Sequence, residues 1–196
     1  ICPQAKHKTE LDPMFDAQLR PLIDRLLNPI GRGLVALGMT ANQVTMIGAA
    51  FGLIAAGCVA AGLFYPALWF VIANRVIDGL DGAVARASRS SDFGGYLDIV
   101  SDFIFYSAIP LAFAVAWPET ALSAAFLIFS FVGTATSFLG FAILAEKHQV
   151  TTQIRGKKAF YYLGGLTEGT ETILLLLAML VWPDYFSLMA IVFGIL

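Results

Sequence analysis

Long apolar segments, separated by short turns that contain proline or charged residues, make up most of this chain. Of its 196 residues, 58% are hydrophobic and 13% are charged, which is outside the range of ordinary soluble domains. A membrane-spanning helix needs about 20 consecutive apolar residues. The sequence therefore predicts an all-α polytopic membrane protein with six transmembrane helices. We place these helices at 42–64, 66–88, 92–117, 120–145, 158–182 and 184–196.

The two ends of the chain differ from this pattern. Segment 184–196 is too short for a complete span, so we expect the sixth helix to be truncated. Residues 1–39 form a polar arm, and residues 40–196 form the transmembrane domain. Within the arm, apolar residues recur at helical spacing and alternate with arginines, which predicts an interfacial amphipathic helix. Pro21 and Pro29 predict kinks or a break in that helix.

Basic residues are concentrated on one side of the predicted topology. They precede the first span, flank the bend near residue 90 and cluster between 147 and 158. The turns on the other side contain aromatic residues and no lysine or arginine. The positive-inside rule therefore predicts that the N-terminus and the bend face the cytoplasm, in an inner (cytoplasmic) membrane. We expect no nucleic-acid partner.

Four aspartates, Asp78, Asp81, Asp98 and Asp102, lie within two of the predicted spans. Each costs about 3 kcal/mol at the centre of a membrane helix, so the group needs a compensating partner. The members of each pair are three or four residues apart and share one helix face, and a bend near Ser90 places the two pairs at matching depths. Oxygen ligands without histidine or cysteine favour Mg²⁺ or Mn²⁺. We therefore predict a site for two divalent ions that also binds phosphate groups.

Small side chains surround the first aspartate pair, at Gly79, Gly82, Ala83 and Ala85. They leave a helix face on which a substrate can approach the backbone. Arg86 lies four residues after Gly82 and can donate hydrogen bonds to phosphate oxygens.

Each of these patterns has a purely structural alternative. The aspartates can form buried ion pairs with Arg75 and Arg86, although two arginines cannot neutralise four carboxylates. The small residues are also typical of close helix packing in membranes, and this explanation is compatible with substrate binding.

The spacing of these residues closely resembles the signature of the CDP-alcohol phosphotransferase family, D-x2-D-G-x2-A-R followed by G-x3-D-x3-D. Segment 40–45, Thr-Ala-Asn-Gln-Val-Thr, resembles the family's T-P-N-x-x-T element. The resemblance implies a homodimer in the membrane lipid, with residues 40–196 as the catalytic domain. It also implies transfer of a phosphatidyl group from a CDP-linked lipid such as CDP-diacylglycerol to an alcohol acceptor. CMP is released, and the reaction belongs to phospholipid biosynthesis.

The resemblance also implies roles for individual residues. Asp78, Asp81 and Asp98 would bind two divalent ions, and Asp102 would complete the second site and act as the general base. Contacts to the CDP moiety would come from Asn42, Gln43, Val44, Thr45, Gly82, Ala85, Arg86 and Ser91.

The acceptor is less clearly indicated. Lys147 and Arg155 belong to a basic cluster that suits a phosphorylated acceptor, although positive-inside charge and lipid binding also explain such clusters. Glu168 and Glu171 lie in the fifth predicted span, where they can bind hydroxyls of an uncharged acceptor or form ion pairs. Two other functions use acids within a membrane, and we keep both as alternatives: an intramembrane prenyltransferase and a divalent-cation transporter.

Overall fold

Within residues 15–147 and 169–196, which the computed structural model describes, the chain is helical and contains no β-strand. The prediction of an all-α fold is confirmed. The helices are α1 (Phe15–Ala36), α2 (Ala41–Ala60), α3 (Phe64–Ala87), α4 (Asp92–Ala116), α5 (Ala121–Lys147), α6 (Gly169–Val181) and α7 (Phe186–Ile195). Short 3₁₀ turns at Pro118–Thr120 and Pro183–Tyr185 precede α5 and α7.

Three stretches in the described part of the chain are long and apolar enough to cross a membrane: α2, α4 and Pro118–Leu144. Helices α6 and α7 form a bent pair with an angle of 118°, which gives a fourth candidate. The chain is thus an integral membrane protein. Helix α3 has 24 residues, but it carries arginines and aspartates that lower its apolar character. The count of six spans stays a prediction, because part of the fifth predicted span lies outside the described residues.

Helix α1 is continuous from Phe15 to Ala36 and has no break at Pro21 or Pro29. A proline inside a helix removes a hydrogen bond at a cost of about 3 kcal/mol, so packing must offset that cost. Such packing is present, because α1 lies against α3 so closely that a Cβ on Gly31 would be 2.8 Å from the Cβ of Ala83. The sequence did not show that this neighbour would support the helix.

Side-chain caps begin the two helices that lead into the aspartate region. Before α2, Thr40 Oγ1 accepts a hydrogen bond from the Gln43 backbone N–H at 3.3 Å, and Gln43 Oε1 accepts one from the Thr40 N–H at 2.9 Å. Before α4, Ser91 Oγ accepts from the Gly94 N–H at 3.0 Å. Such caps typically contribute about 1 kcal/mol each, and they fix where each helix begins.

The largest buried side chains lie toward the other end of the helices. The Phe113 and Phe186 rings stack with centroids 4.2 Å apart, and the Phe64 ring stacks on Phe113 at 5.4 Å. Phe113 and Phe186 are fully buried. This aromatic cluster joins α3, α4 and α7 at the end of the bundle away from the aspartates.

Candidate metal and diphosphate site

Helices α3 and α4 bring three of the four aspartates together. Asp78, Asp98 and Asp102 can each offer one carboxylate oxygen such that these oxygens all lie within 4.8 Å of one another. All three residues are half-buried, so they remain accessible from one side. The three-four spacing within each helix and the short bend at 88–91 account for this convergence. Three hard oxygen donors at this separation fit a magnesium or manganese ion.

Arg75 connects the two helices beneath this carboxylate group. Its Nη2 donates to Asp102 Oδ1 at 2.9 Å, and its Nη1 lies 3.6 Å from Asp78 Oδ2. Arg75 thus contacts one aspartate of each pair. This agrees with the prediction that the two pairs lie at the same depth along their helices. The ion-pair alternative therefore applies to these two carboxylates, but a single arginine leaves the group with a large negative charge.

Arg75 is itself held in place by three neighbours. Its Nε donates to Asn74 Oδ1 at 2.8 Å, and the buried Asn74 side chain donates to the Gly48 carbonyl of α2, also at 2.8 Å. The guanidinium carbon lies 4.9 Å from the centre of the Phe105 ring and 5.8 Å from that of Tyr106. The sequence analysis did not anticipate these supports, because they depend on how α2 and α4 pack around α3.

Asp81 lies outside the group of three and faces α2 instead. It is buried, with 7% of its surface exposed, and its Oδ2 accepts a hydrogen bond from Thr45 Oγ1 at 2.7 Å. The same hydroxyl lies 3.1 Å from the Ala41 carbonyl. Thr45, which was predicted to contact the CDP moiety, therefore bonds a predicted metal ligand. This links the start of α2 to the aspartate region.

The small-residue face of α3 is divided between two environments. A Cβ on Gly79 would lie 2.6 Å from Leu27 Cδ1 of α1, and Ala83 is buried against Gly31. This part of the face is thus closed by helix packing, and the expectation that a substrate approaches there is wrong. At Gly82, a Cβ would meet only Arg86 Nη1, at 3.2 Å. Gly82 is therefore covered only by the end of the Arg86 side chain, and substrate approach at Gly82 stays a prediction.

Arg86 is held by α1 beside Gly82. Its Nη2 donates to Asp24 Oδ1 at 2.7 Å and to Asn28 Oδ1 at 3.1 Å. Neither residue was predicted from the sequence. The available signal was their helical register, since Asp24, Asn28 and Gly31 recur at intervals of four and three residues on the face of α1 that meets α3.

The remaining predicted CDP contacts lie near the starts of α2 and α4, except for Ala85, which lies in the last turn of α3. Asn42 Oδ1 would be 2.8 Å from a Cβ on Gly94, so a glycine is required for this approach. Gln43 and Ser91 serve as caps, Val44 is buried and Ala85 is half-buried. An open, mostly apolar groove of about 550 Å³ adjoins Asn42. It is lined by Met39, Asn42, Gln43, Met46, Ile47, Phe93 and Leu97.

Two of the four predicted acceptor residues can be placed. Lys147 is exposed at the end of α5, and Glu171 is half-buried in the first turn of α6. A Cβ on Gly169 would lie 3.7 Å from the Tyr106 hydroxyl, so α6 begins beside the layer that contains Arg75. Arg155 and Glu168 lie outside the described residues.

The chain was compared with known protein families, and one family matches most of it. The family model of CDP-alcohol phosphatidyltransferases matches residues 38–196, which include all four aspartates. The chain belongs to this family. As a CDP-alcohol phosphatidyltransferase, it transfers a substituted phosphate group from a CDP-linked lipid to an alcohol, and the family depends on a divalent cation. The resemblance found in the sequence is confirmed, which sets aside the prenyltransferase and transporter alternatives.

Relatives of this CDP-alcohol phosphatidyltransferase agree with the assignment. It is 46% identical to the inner membrane protein YnjF of Escherichia coli over 93% of the chain and 89% of that protein. It is 34% identical to the archaetidylinositol phosphate synthase of Pyrococcus horikoshii over 55% of the chain and 60% of that enzyme.

Its fold is also that of a solved structure. The phosphatidylinositol phosphate synthase of Mycobacterium tuberculosis, with CDP-DAG bound, superposes with a TM-score of 0.66 at 22% identity, covering 87% of each chain. The same enzyme has a structure in complex with manganese and citrate, with a TM-score of 0.65, 22% identity and coverage of 86% of this chain and 82% of that one.

Proposed function

We propose that the donor is CDP-diacylglycerol and that the chain binds two Mg²⁺ or Mn²⁺ ions between α3 and α4. The convergence of Asp78, Asp98 and Asp102 beside the open backbone at Gly82 supports this proposal most directly. The bound CDP-DAG and manganese of the Mycobacterium tuberculosis synthase agree with it.

Each aspartate has a role in this proposal. Asp78, Asp81 and Asp98 hold the ions, and Asp102 completes the second site. When bound, the ions neutralise charge on the diphosphate and on the departing CMP. Asp81 keeps its position through the Thr45 hydroxyl, and Asp78 through Arg75. The three carboxylate oxygens of Asp78, Asp98 and Asp102 that lie within 4.8 Å of one another are suitable donors for such ions.

Arg86 and Gly82 receive the diphosphate of the donor. Because Asp24 and Asn28 hold Nη2 of Arg86, its Nη1 lies over Gly82, where no other side chain intrudes. A guanidinium fixed in this way donates to phosphate oxygens with little further loss of side-chain freedom. The cytidine end of the donor lies toward Asn42, Gln43, Val44 and Thr45 and toward Ser91, and Ala85 borders the same path.

Asp102 accepts the proton of the acceptor hydroxyl. Arg75 engages its Oδ1, which leaves Oδ2 to act as the base. The acceptor contacts Lys147 at the end of α5 and Glu171 in the first turn of α6, and Arg155 and Glu168 are the other two predicted contacts. The active site faces the cytoplasm, and two copies of the chain form a homodimer.

A glycine pair on α3 tests where the donor approaches. Gly82→Ala is expected to raise the KM for CDP-diacylglycerol by about tenfold, because a methyl group would occupy the open backbone, while the melting temperature stays unchanged. The matched Gly79→Ala variant is expected to leave this KM unchanged, because its Cβ would face the end of the Leu27 side chain, which can move, and not the donor. Equal effects of the two variants on KM would contradict the proposed approach.

The proposed function is tested by incubating the purified protein with CDP-diacylglycerol, Mn²⁺ or Mg²⁺ and a panel of alcohols. The panel contains phosphorylated polyols, uncharged polyols and amino alcohols, including serine. We expect CMP release and one new phospholipid, identified by mass. A product whose head group carries a further phosphate implicates Lys147 and Arg155, and a product whose head group is an uncharged polyol implicates Glu168 and Glu171. Metal flux into liposomes without CMP formation would refute the proposal.

A further inference from the structure

Arg75 lies outside the residues that carry the family resemblance, but it contacts two of the aspartates that do. Its guanidinium joins Asp102 on α4 to Asp78 on α3, at 2.9 and 3.6 Å. Only 17% of its side chain is exposed. A cation is costly to bury at this depth, so the carboxylates that it contacts must compensate for it.

Arg75 is rigid for reasons independent of the aspartates. The hydrogen bond to Asn74, the further bond from Asn74 to Gly48 and the contact with the Phe105 ring fix its guanidinium from the other side. These contacts come from α2, α3 and α4. The cation therefore has a defined position before any ligand arrives, and it imposes that position on the carboxylates.

We infer that Arg75 is a positioning residue for the transfer reaction, an inference that rests on the proposed function. It holds Asp102 by one oxygen, so that the other oxygen is aimed at the acceptor hydroxyl. It also keeps one positive charge next to the carboxylate group, which limits how tightly the group binds divalent ions. A site that releases its products must not hold the ions and CMP too firmly.

The planar fork of arginine suits this task in a way that lysine does not. Two different nitrogens reach Asp102 and Asp78, while Nε is occupied by Asn74. The ammonium group of lysine has a single nitrogen and cannot keep all three partners at these distances. Arg75→Lys therefore keeps the positive charge but cannot keep all three contacts. Arg75→Met removes both the charge and the contacts.

The test combines metal binding with kinetics in detergent-purified protein. Binding of Mn²⁺ alone is followed by the electron paramagnetic resonance signal of the free ion, and CMP release is followed with CDP-diacylglycerol. For Arg75→Met we expect Mn²⁺ to bind about threefold or more tightly, because a nearby positive charge is gone, and kcat to fall by about 100-fold. We expect the KM for the CDP-lipid to stay within about threefold of wild type, because the donor site is intact.

Arg75→Lys separates charge from geometry. It should bind Mn²⁺ as wild type does and lose about tenfold in kcat. Arg32→Met, which removes an exposed arginine of α1, serves as the control and should change neither quantity.

Other outcomes would overturn the inference. Weaker Mn²⁺ binding by Arg75→Met would show that Arg75 only supports the local structure, and a wild-type kcat in either variant would show that it positions nothing. Should Arg75→Met fail to elute as a single species from a sizing column, the kcat and Mn²⁺ affinity of Arg75→Lys decide the question. Absence of CMP release by the wild-type protein would refute the proposed function, and the Mn²⁺ measurements would still show whether Arg75 limits ion affinity.

Discussion

Asp102→Asn is expected to reduce CMP release by about 10³-fold or more, because the amide cannot accept the proton of the acceptor hydroxyl. Asp102 also contributes a carboxylate to the second ion, but Asp78, Asp81 and Asp98 remain to bind the ions, so the donor site should be largely kept. An asparagine oxygen still accepts the hydrogen bond that Arg75 Nη2 donates to Oδ1 at 2.9 Å, so the contact between α3 and α4 is preserved. We therefore expect CDP-lipid binding to stay within about threefold of wild type.

The measurement separates binding from the chemical step. Binding of a CDP-lipid to the purified variant is measured by calorimetry in detergent with Mn²⁺ present, and CMP release is measured on the same preparation. Loss of CDP-lipid binding in proportion to activity would assign Asp102 to substrate binding and would contradict its role as the base.

Asp98→Asn should weaken metal binding and remove most of the activity. Asp98 is one of the three residues that offer oxygens within 4.8 Å of one another, and an amide is a weaker ligand that carries no charge. Loss of an ion that stabilises the departing CMP corresponds to about 4 kcal/mol, so we expect CMP release to fall by about 10³-fold. Direct titration with Mn²⁺ should show fewer ions bound per chain.

Asp92→Asn is the matched control on the same helix. Asp92 lies in the first turn of α4 and is exposed, so the same chemical change there leaves the carboxylate group untouched. It should lower the free energy of unfolding by only about 0.5 kcal/mol, because the favourable interaction of the carboxylate with the helix N-terminus is lost. Similar losses of Mn²⁺ binding in the two variants would show that the effect reflects overall negative charge and would contradict a site formed by Asp98.

The aspartate arrangement was predictable because it depends on local rules. Residues three or four apart on a helix share a face, and a short bend returns the chain antiparallel to itself, so Asp78 and Asp102 had to come close. Arg75 confirms this by contacting both. The position of Asp81 depended on the rotation of α3 against α2, which the sequence does not encode locally. It therefore could not be predicted that Asp81 bonds Thr45.

The sequence alone could not distinguish small residues that pack against another helix from small residues that face a substrate. Substrate access and close helix packing both need residues with little or no side chain. Gly79 and Gly82 therefore look alike in sequence. The packing of α1 separates them: Leu27 lies over Gly79, whereas only the end of the Arg86 side chain lies over Gly82. The same docking brings Asp24 to Arg86 across 62 positions of sequence, and it supports a helix that two prolines would otherwise weaken.

The two halves of helix α4 differ in the residues that they carry. Its first half holds Asp98 and Asp102, and its second half ends in the buried stack of Phe113 on Phe186. Asp102 and Phe113 are separated by about 16 Å along the helix at 1.5 Å per residue. The aromatic side chains that join α3, α4 and α7 thus lie well away from the carboxylate group. We therefore expect substitutions beside the carboxylate group to leave the aromatic end of the fold intact.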